Sequence, residues 1–360
     1  MNIVTLKDGA VNYDISVPDT LSENANSNEE SSFVLALKEV KISDGILNYD
    51  DRSMDFVMKI SDLNGTMTGD LAADQSELTT DLTAESLSMS YENLVLLSNV
   101  KAVFNAIISA NLEQDIYIIK SNRLLLNDLV IEFAGTFGLN QDDIAMDFNF
   151  KAPNGEFKQL LSLIPAIYTT DFKNISTAGD FVFDGFMNGS YSENTFPGFG
   201  MNLNIRNAQF SYPDLPKKIE NIEVVTVVSN ETGDFDATYI NLEKFNFKMA
   251  GNPFESHLKV KTPVSNPNID LGLKGTLDFD SFASILPKEA ISELKGLFVF
   301  DFALKSLLSD IENGAYQNMY ANGALFISDF ETSVAAFDLP IKMKKAEFNF
   351  TPAFARMQIE

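Results

Sequence analysis

The sequence predicts a mostly β protein, built as a long, curved antiparallel sheet with a few short helices. Three observations support this prediction: apolar and polar residues alternate along much of the chain, Asn-Gly and Asp-Gly pairs recur, and one short motif is repeated. The chain has 360 residues, of which 45% are apolar and 21% are charged. This composition is typical of a folded protein and not of a disordered one.

The alternation has a period of two, which places apolar side chains on one side of an extended strand and polar side chains on the other. In 298–305, for example, three phenylalanines and Leu304 alternate with Val299, Asp301, Ala303 and Lys305. Strands with a single apolar face are typical of antiparallel sheets. The clearest such segments are 144–151, 201–206, 245–249, 269–274 and 298–305.

Asn-Gly and Asp-Gly pairs are the strongest short signals for tight hairpin turns, because both central residues of such turns need a positive φ. We therefore expect turns at these pairs, and roughly 20 strands of about five to six residues each. At ~4.8 Å per strand, such a sheet would extend on the order of 100 Å, and open sheets of that size usually curl. The pairs begin at Asp44, Asn64, Asn154, Asp184, Asn188, Asn313 and Asn322.

Helices are predicted to be few and short. Proline limits two of the candidates, at Pro165 and Pro287, and Gly314 ends the third. The segment 94–110 fits either a strand or a helix, and we assign it to a strand. The segment 18–32 is rich in Ser, Asn, Asp and Glu and predicts a polar loop. The three helix candidates are 156–164, 281–294 and 307–313.

A short motif occurs twice near the N-terminus. Segment 6–14 matches 42–50 at an offset of 42 − 6 = 36 residues, with Asp, Gly, Asn, Tyr and Asp identical. Weaker echoes follow at 126–133 and 205–212. Repetition of one supersecondary unit predicts a stack of similar units and not a ball. We divide the chain into residues 1–150, which carry the motif, and residues 151–360, which carry the short helices.

Charge and composition exclude several classes of function. The chain has 26 Lys and Arg against 51 Asp and Glu, so its formal net charge is 26 − 51 = −25. This excess argues against a nucleic-acid partner and against docking on anionic lipid headgroups by charge. Cysteine is absent, which removes disulfides, thiol nucleophiles and cysteine-held metals. His257 is the one histidine, so a multi-histidine metal site is excluded, and we expect it at the surface.

Acidic pairs raise the question of a calcium site or a glycosidase. The pair Asp50-Asp51 lies near Asp55, and Asp142-Asp143 lies near Asp147. The sequence has no EF-hand spacing, and such pairs are expected by chance among 51 acidic residues. Solvated loops are therefore the simpler interpretation.

Two further motifs are weak. The sequence at 198–200, Gly-Phe-Gly, is not a phosphate loop, because no Lys-Ser or Lys-Thr follows it. Lys342, Lys344 and Lys345 form a small basic spot. This spot either pairs with neighbouring acidic residues or contacts a lipid headgroup.

Several segments resemble recurring motifs of a known family. The segment 40–51, Val-Lys-Ile-Ser-Asp-Gly-Ile-Leu-Asn-Tyr-Asp-Asp, is similar to the strand-turn-strand motif of the AsmA proteins. The later segments follow one another in an order that resembles the AsmA-like proteins of Bacteroidota. The resemblance covers nearly the whole chain, most firmly 33–360. These later segments are 180–186, 197–203, 208–216, 259–267 and 275–279.

The resemblance implies a repeating β-groove, whose concave apolar face carries the acyl chains of phospholipids between membranes. It implies no catalytic motif, so we expect a protein that is not an enzyme, and no cofactor or metal. It also implies a periplasmic location, with an N-terminal anchor in the inner membrane and partners at the inner and outer membranes. The family's anchor helix and C-terminal continuation have no counterpart here, so we expect the chain to be a segment of a longer protein.

The apolar stripes are the candidate lining of such a groove. The first hypothesis is a conduit for phospholipid that supports outer-membrane biogenesis. The second is a structural or adhesive β-solenoid, whose apolar residues form a core filled by protein side chains. A third, a polysaccharide-active enzyme, would need two carboxylates ~5–9.5 Å apart in a cleft. Periodicity alone does not separate the first two, and the resemblance favours the first. The candidate lining residues are Met146, Phe148, Phe150, Met201, Leu203, Phe245, Phe247, Phe298, Phe300 and Phe302.

Overall fold

The predicted fold class is confirmed. The structure, a computed structural model, is 78% strand and 7% helix, and its 18 strands join in an open, curved antiparallel sheet with two short helices. It describes residues 1–7, 10–12, 38–53, 55–70, 74–91, 94–140, 143–163, 176–192, 195–211, 218–281, 291–334, 340–351 and 354–359.

Strand lengths run from four residues in the first strand to 18 in the fifth. The strands are β1 (Asn2–Thr5), β2 (Glu39–Asp51), β3 (Phe56–Thr68), β4 (Gln75–Tyr91), β5 (Leu94–Asn111), β6 (Ile116–Leu126), β7 (Leu129–Leu139), β8 (Ile144–Glu156), β9 (Ser176–Tyr191), β10 (Gly198–Ser211), β11 (Ile219–Asn230), β12 (Tyr239–Met249), β13 (Asn252–Lys261), β14 (Asn268–Asp278), β15 (Ile291–Leu307), β16 (Tyr320–Val334), β17 (Ile341–Thr351) and β18 (Phe354–Ile359). The α-helices are α1 (Phe157–Leu161) and α2 (Leu308–Glu312), and 3-10 turns occur at Phe235–Ala237, Phe279–Ser281 and Tyr316–Asn318.

The chain divides into two compact units. The N-terminal unit comprises Met1–Asn127 and Ile131–Ala145. The C-terminal unit comprises Asp128–Val130 and Met146–Glu360. Both α-helices belong to the C-terminal unit.

In the N-terminal unit, β1 pairs in parallel with β2, and the strands from β2 to β6 each pair antiparallel with the next. The register places Ile60 of β3 opposite Leu47 of β2 and Leu87 of β4. The neighbouring residue, Lys59, lies opposite a serine, Ser88. Since directly opposite residues share a face, this unit has an apolar face and a polar face.

In the C-terminal unit, the strands from β9 to β18 each pair antiparallel with the next. Leu271 of β14 lies opposite Leu258 of β13 and Leu304 of β15. One residue earlier, Asp270 lies opposite Lys305. The period-two alternation of the sequence thus becomes one apolar and one polar face.

The turn prediction is wrong at most Asn-Gly and Asp-Gly pairs. Six of the seven lie inside strands, and only Asn313-Gly314 does not, because it follows α2. A glycine inside a strand permits a bulge or the close approach of a neighbouring group, because it has no Cβ. At Gly185, for instance, a Cβ would meet the Phe150 ring at 2.4 Å. The strands are consequently fewer and longer than the roughly 20 short ones expected.

The repeated motif marks β-bulges at Asp44 and Asn207 and the turn between β6 and β7 at Asn127. Its Asn or Asp residue has a positive φ in three copies: 48° at Asp44, 51° at Asn127 and 49° at Asn207. Asn and Asp adopt this left-handed region more readily than most residues do. The pairing register shifts beside Asp44 and beside Asn207, as it does at a bulge. After the bulge in β10, Ala208 is completely buried.

The helix predictions at 156–164 and 307–313 correspond to α1 and α2. Gly314, with a φ of 64°, follows α2. The candidate at 281–294 is different, because residues 282–290 lie outside the described residues and the chain is strand from Ile291 onward. The segment 94–110 is strand, as assigned. The predicted loop at 18–32 lies outside the described residues.

Candidate functional site: the apolar face of the C-terminal unit

The register brings the candidate lining residues of β10, β12 and β15 onto one face of the C-terminal unit. Leu203 lies in one cross-strand row with Phe183 and Thr226. Phe302 lies opposite Leu273, which lies opposite Ser256, which in turn lies opposite Phe245. Phe247, Phe300, Phe298 and Met201 are two or four residues from these on the same strands and share their face. We call this surface the apolar face.

The three candidates on β8 belong to the same face. The Phe150 ring lies 5.5 Å from that of Phe183, centroid to centroid, and covers Gly185. Met146 and Phe148 precede Phe150 by four and two residues on the same strand, so they point the same way. All ten candidate residues thus share the apolar face.

Phenylalanine rings contact one another across the middle of this face. Phe247 stacks on Phe254 at 5.0 Å, Phe254 meets Phe300 at 6.1 Å, and Phe300 lies 6.0 Å from Phe298. Phe298 continues the series to Phe330 at 5.4 Å. The rings form a continuous aromatic strip from β12 to β16, and such pairs add about 0.5–1.5 kcal/mol each beyond their burial.

The apolar face is buried in places, as at Phe254 and Ile205, but much of it is only partly covered. None of the ten candidate residues is buried, and Phe245 keeps 37% of its surface exposed. Within the described ranges, 18 apolar residues are buried, and five of them are alanines. Large apolar side chains are normally the most buried of all, so a face that leaves many half-exposed is unusual.

The opposite face is polar and carries ion pairs between neighbouring strands. Lys305 of β15 contacts Asp270 of β14 at 3.0 Å, and His257 of β13 lies 3.6 Å from the same carboxylate. Burial alone would raise the pKa of Asp270, but the hydrogen bond and charge of Lys305, helped by His257, lower it. The strongly acidic sequence therefore places much of its charge on a face that water solvates.

A cleft opens where α1 crosses the apolar face, with a volume of about 460 Å³. Phe157, Leu160 and Leu161 of α1 form one side. The sheet forms the other, and every described residue that lines the cleft is apolar. The sheet residues are Leu203, Ile205, Phe210, Ile219, Ile222, Val224, Phe245 and Phe247.

Side-chain hydrogen bonds join three successive loops at one edge of the C-terminal unit. The Asp236 carboxylate accepts from the backbone N–H of Val264 and from the N–H and hydroxyl of Ser265, at 2.6–3.1 Å. These bonds, first of all the one from the Ser265 hydroxyl, lower the pKa of Asp236. The Asn266 side chain, in the same loop as Ser265, donates a hydrogen bond at 2.9 Å to the hydroxyl of Ser309 in the third loop. The hairpin ends are thereby held at fixed spacing.

The other sequence candidates form no catalytic or metal-binding cluster in the described residues. His257 is half-exposed on the polar face, as expected. The prediction of a solvated loop is wrong at Asp50-Asp51, because the pair ends β2 and Asp51 is buried. Asp51 accepts hydrogen bonds from the backbone and hydroxyl of Ser53, while Asp50 pairs with Arg52. No group of three or more potential metal ligands occurs in the described part of the chain. Asp142 lies outside it.

The basic spot and the Gly-Phe-Gly sequence also have structural partners. Lys342 pairs with Glu331, whose pKa is lowered by that contact, and Lys345 lies over the Phe326 ring. The segment Gly198-Phe199-Gly200 opens β10 and lies in a strand pairing, not at the start of a helix.

The cleft beneath α1 was not predicted from the sequence. Its sheet residues come from three strands whose mutual register is not visible in the sequence. The spacing of Phe157 and Leu161, which are four apart and both buried, could have indicated that α1 packs its apolar side on something.

In the described residues, no helix is long and apolar enough to cross a membrane. The chain matches no protein-family model, no curated protein and no solved structure.

Proposed function

We propose that the C-terminal unit is a segment of a hydrophobic conduit that carries phospholipid acyl chains across an aqueous space between membranes. One observation carries this proposal: all ten candidate residues share one face, and none of them is buried. A structural solenoid with a protein-filled core would bury these side chains. Acyl chains, in contrast, suit a continuous apolar surface with no specific polar group.

The energetics favour such cargo. Burying a methylene group against an apolar surface is worth roughly 0.8 kcal/mol, so a tail of ordinary length gains far more than thermal energy. The rings of Phe247, Phe254 and Phe300 form a surface without polar atoms along which a tail can shift in small steps. The polar face, where Asp270, Lys305 and His257 interact, stays in water.

The resemblance to the AsmA proteins supports the same function and suggests its setting. The proposed role is non-enzymatic transport in a bacterial envelope, in support of outer-membrane biogenesis. The proposed location is the periplasm, with partners at the inner and outer membranes. Cargo would move down a gradient or be driven by those partners.

The direct test is mass spectrometry of organic extracts from the purified chain, prepared without detergent. A soluble protein of similar size and net charge serves as the control. We expect phospholipid in stoichiometric amounts, with several molecules per chain, and none above background in the control. A folded chain whose extract contains no phospholipid would contradict the proposal and favour a structural scaffold.

A further inference from the structure

The cleft beneath α1 differs from the rest of the apolar face because it is walled on two sides. Phe157 and Leu161 of α1 are buried against the sheet, while Leu160 and the half-exposed Phe245 border the open volume. The sheet floor beneath is continuous with the aromatic strip through Phe247.

The helix is capped at both ends despite its short length. Five residues are too few for a helix that is stable alone. The Gln159 side chain accepts from the backbone N–H of Glu156 at 3.2 Å, and the Ser162 hydroxyl donates to the Gln159 carbonyl at 2.6 Å. These bonds stabilise the turn itself, and the burial of Phe157 and Leu161 packs the helix on the sheet, with a gap left between the two.

An apolar gap of this size is unusual in a folded protein unless a ligand fills it. Protein interiors are close-packed, and few voids in them exceed one water molecule. Water gains nothing from this cleft, because its described lining offers no hydrogen-bonding side chain. The space therefore suits an apolar ligand.

We infer that the cleft beneath α1 is a discrete binding site for one acyl tail of a phospholipid. A methylene group needs about the volume of one water molecule, roughly 30 Å³. The cleft of about 460 Å³ is therefore large enough for one tail. The headgroup has no charged partner among the described lining residues and stays outside. The second tail lies on the open part of the apolar face.

This inference rests on the proposed function for the identity of the lipid, but its binding step can be tested alone. The probe is cis-parinaric acid, a single-chain fatty acid that fluoresces in apolar surroundings. Val224 of β11 faces the cleft, whereas Val227 on the same strand faces the polar side, opposite Asn202 and Asn241. Val224→Trp fills the cleft, and Val227→Trp adds the same side chain on the other face as the matched control.

We expect Val224→Trp to bind one probe molecule fewer per chain than the wild type, while Val227→Trp binds as many as the wild type. Leu160→Trp, which fills the same cleft from α1, should also bind one probe molecule fewer. It replaces Val224→Trp as the test of the site if Val224→Trp fails to fold. Unchanged probe stoichiometry in folded cleft variants, or no probe binding by the wild type, would overturn the inference.

The two proposals fail in different ways. If the cleft variants keep their probe stoichiometry while the wild-type extract contains phospholipid, the discrete site is wrong and the conduit stands. If the probe is lost with the cleft but the extract holds no phospholipid, the site exists and the conduit is wrong.

Discussion

The rings of Phe254 and Phe300 meet edge to face at 6.1 Å, although one belongs to β13 and the other to β15. Gly275 of β14 lies between them and pairs with both. Phe302 and Phe350 approach to 4.8 Å across Gly323 in the same way. A glycine flanked by large aromatic residues lets the rings close over the missing side chain, which keeps the apolar surface continuous.

Gly275 is accordingly a position where a side chain should be costly. Its φ is +142°, and a Cβ there would come within 2.3 Å of the Pro253 carbonyl oxygen. We expect Gly275→Ala to destabilise the C-terminal unit by about 2–4 kcal/mol, from backbone strain and steric clash together. Urea unfolding followed by circular dichroism measures the change.

The matched control is Gly251→Ala in the β12–β13 turn. Gly251 also has a positive φ, +82°, but a Cβ there meets nothing within 4 Å. It should cost only the backbone strain, about 1–2 kcal/mol. Equal losses of unfolding free energy in the two variants would show that the close approach of the Pro253 carbonyl to Gly275 does not contribute to the destabilisation.

Asn207 should be required for its backbone conformation. With a φ of 49° in the bulge of β10, it lies in a region that β-branched residues avoid. Asn207→Val should cost about 1–2 kcal/mol, whereas Asn207→Gly should be close to neutral. Asn246→Val in β12, where φ is not positive, should change stability by less than about 0.5 kcal/mol. If Asn207→Gly is as damaging as Asn207→Val, the side chain and not the backbone is what the bulge needs.

Asp236 should make stability depend on pH. Its pKa is lowered in the folded state from the ordinary 3.8, first by the Ser265 hydroxyl. A lowered folded-state pKa stabilises the fold above the unfolded pKa, and this stabilisation is lost as pH falls through the folded value. The melting temperature of the wild type should exceed that of Asp236→Asn by a constant amount near neutral pH, and the gap should shrink below about pH 4.

The control for this titration is Asp234→Asn in the same loop. The Asp234 carboxylate accepts from the backbone N–H of Asp236 within the turn, and among the described residues it makes no bond to the next loop. A gap between wild type and Asp236→Asn that stays constant down to about pH 2 would contradict the assignment.

The sequence predicts which side of each strand is apolar, because alternation with period two survives in long strands. In β15, Phe298, Phe300 and Phe302 share the face that the pattern indicates. Short-range signals also locate α1 and α2. The groove lining itself stays a prediction, since a shared face does not identify what contacts it.

The failures have a common physical cause. Asp184-Gly185 and Asn322-Gly323 have the chemistry of a tight turn, but their glycines lie beneath Phe150 and between Phe302 and Phe350. A local turn signal cannot reveal an aromatic ring supplied by another strand. The cleft beneath α1 could not be predicted from the sequence for the same reason, because the cross-strand register determines its shape.

The phospholipid conduit is tested most directly by comparing bound phospholipid in Phe300→Asp and Val299→Asp. Phe300 lies in the middle of the apolar face, and Val299, 37% exposed, is the next residue on the opposite face. A carboxylate on the apolar face should repel acyl tails, whereas one on the polar face should be harmless. Mass spectrometry of organic extracts gives phospholipid per chain, and circular dichroism confirms that each variant is folded.

We expect Phe300→Asp to stay folded and to lose most of its phospholipid, while Val299→Asp keeps the wild-type amount. Unfolding of Phe300→Asp alone would show that Phe300 lies in a packed protein core, and undiminished phospholipid in a folded Phe300→Asp would show that the apolar face does not hold the cargo. Either result would contradict the conduit.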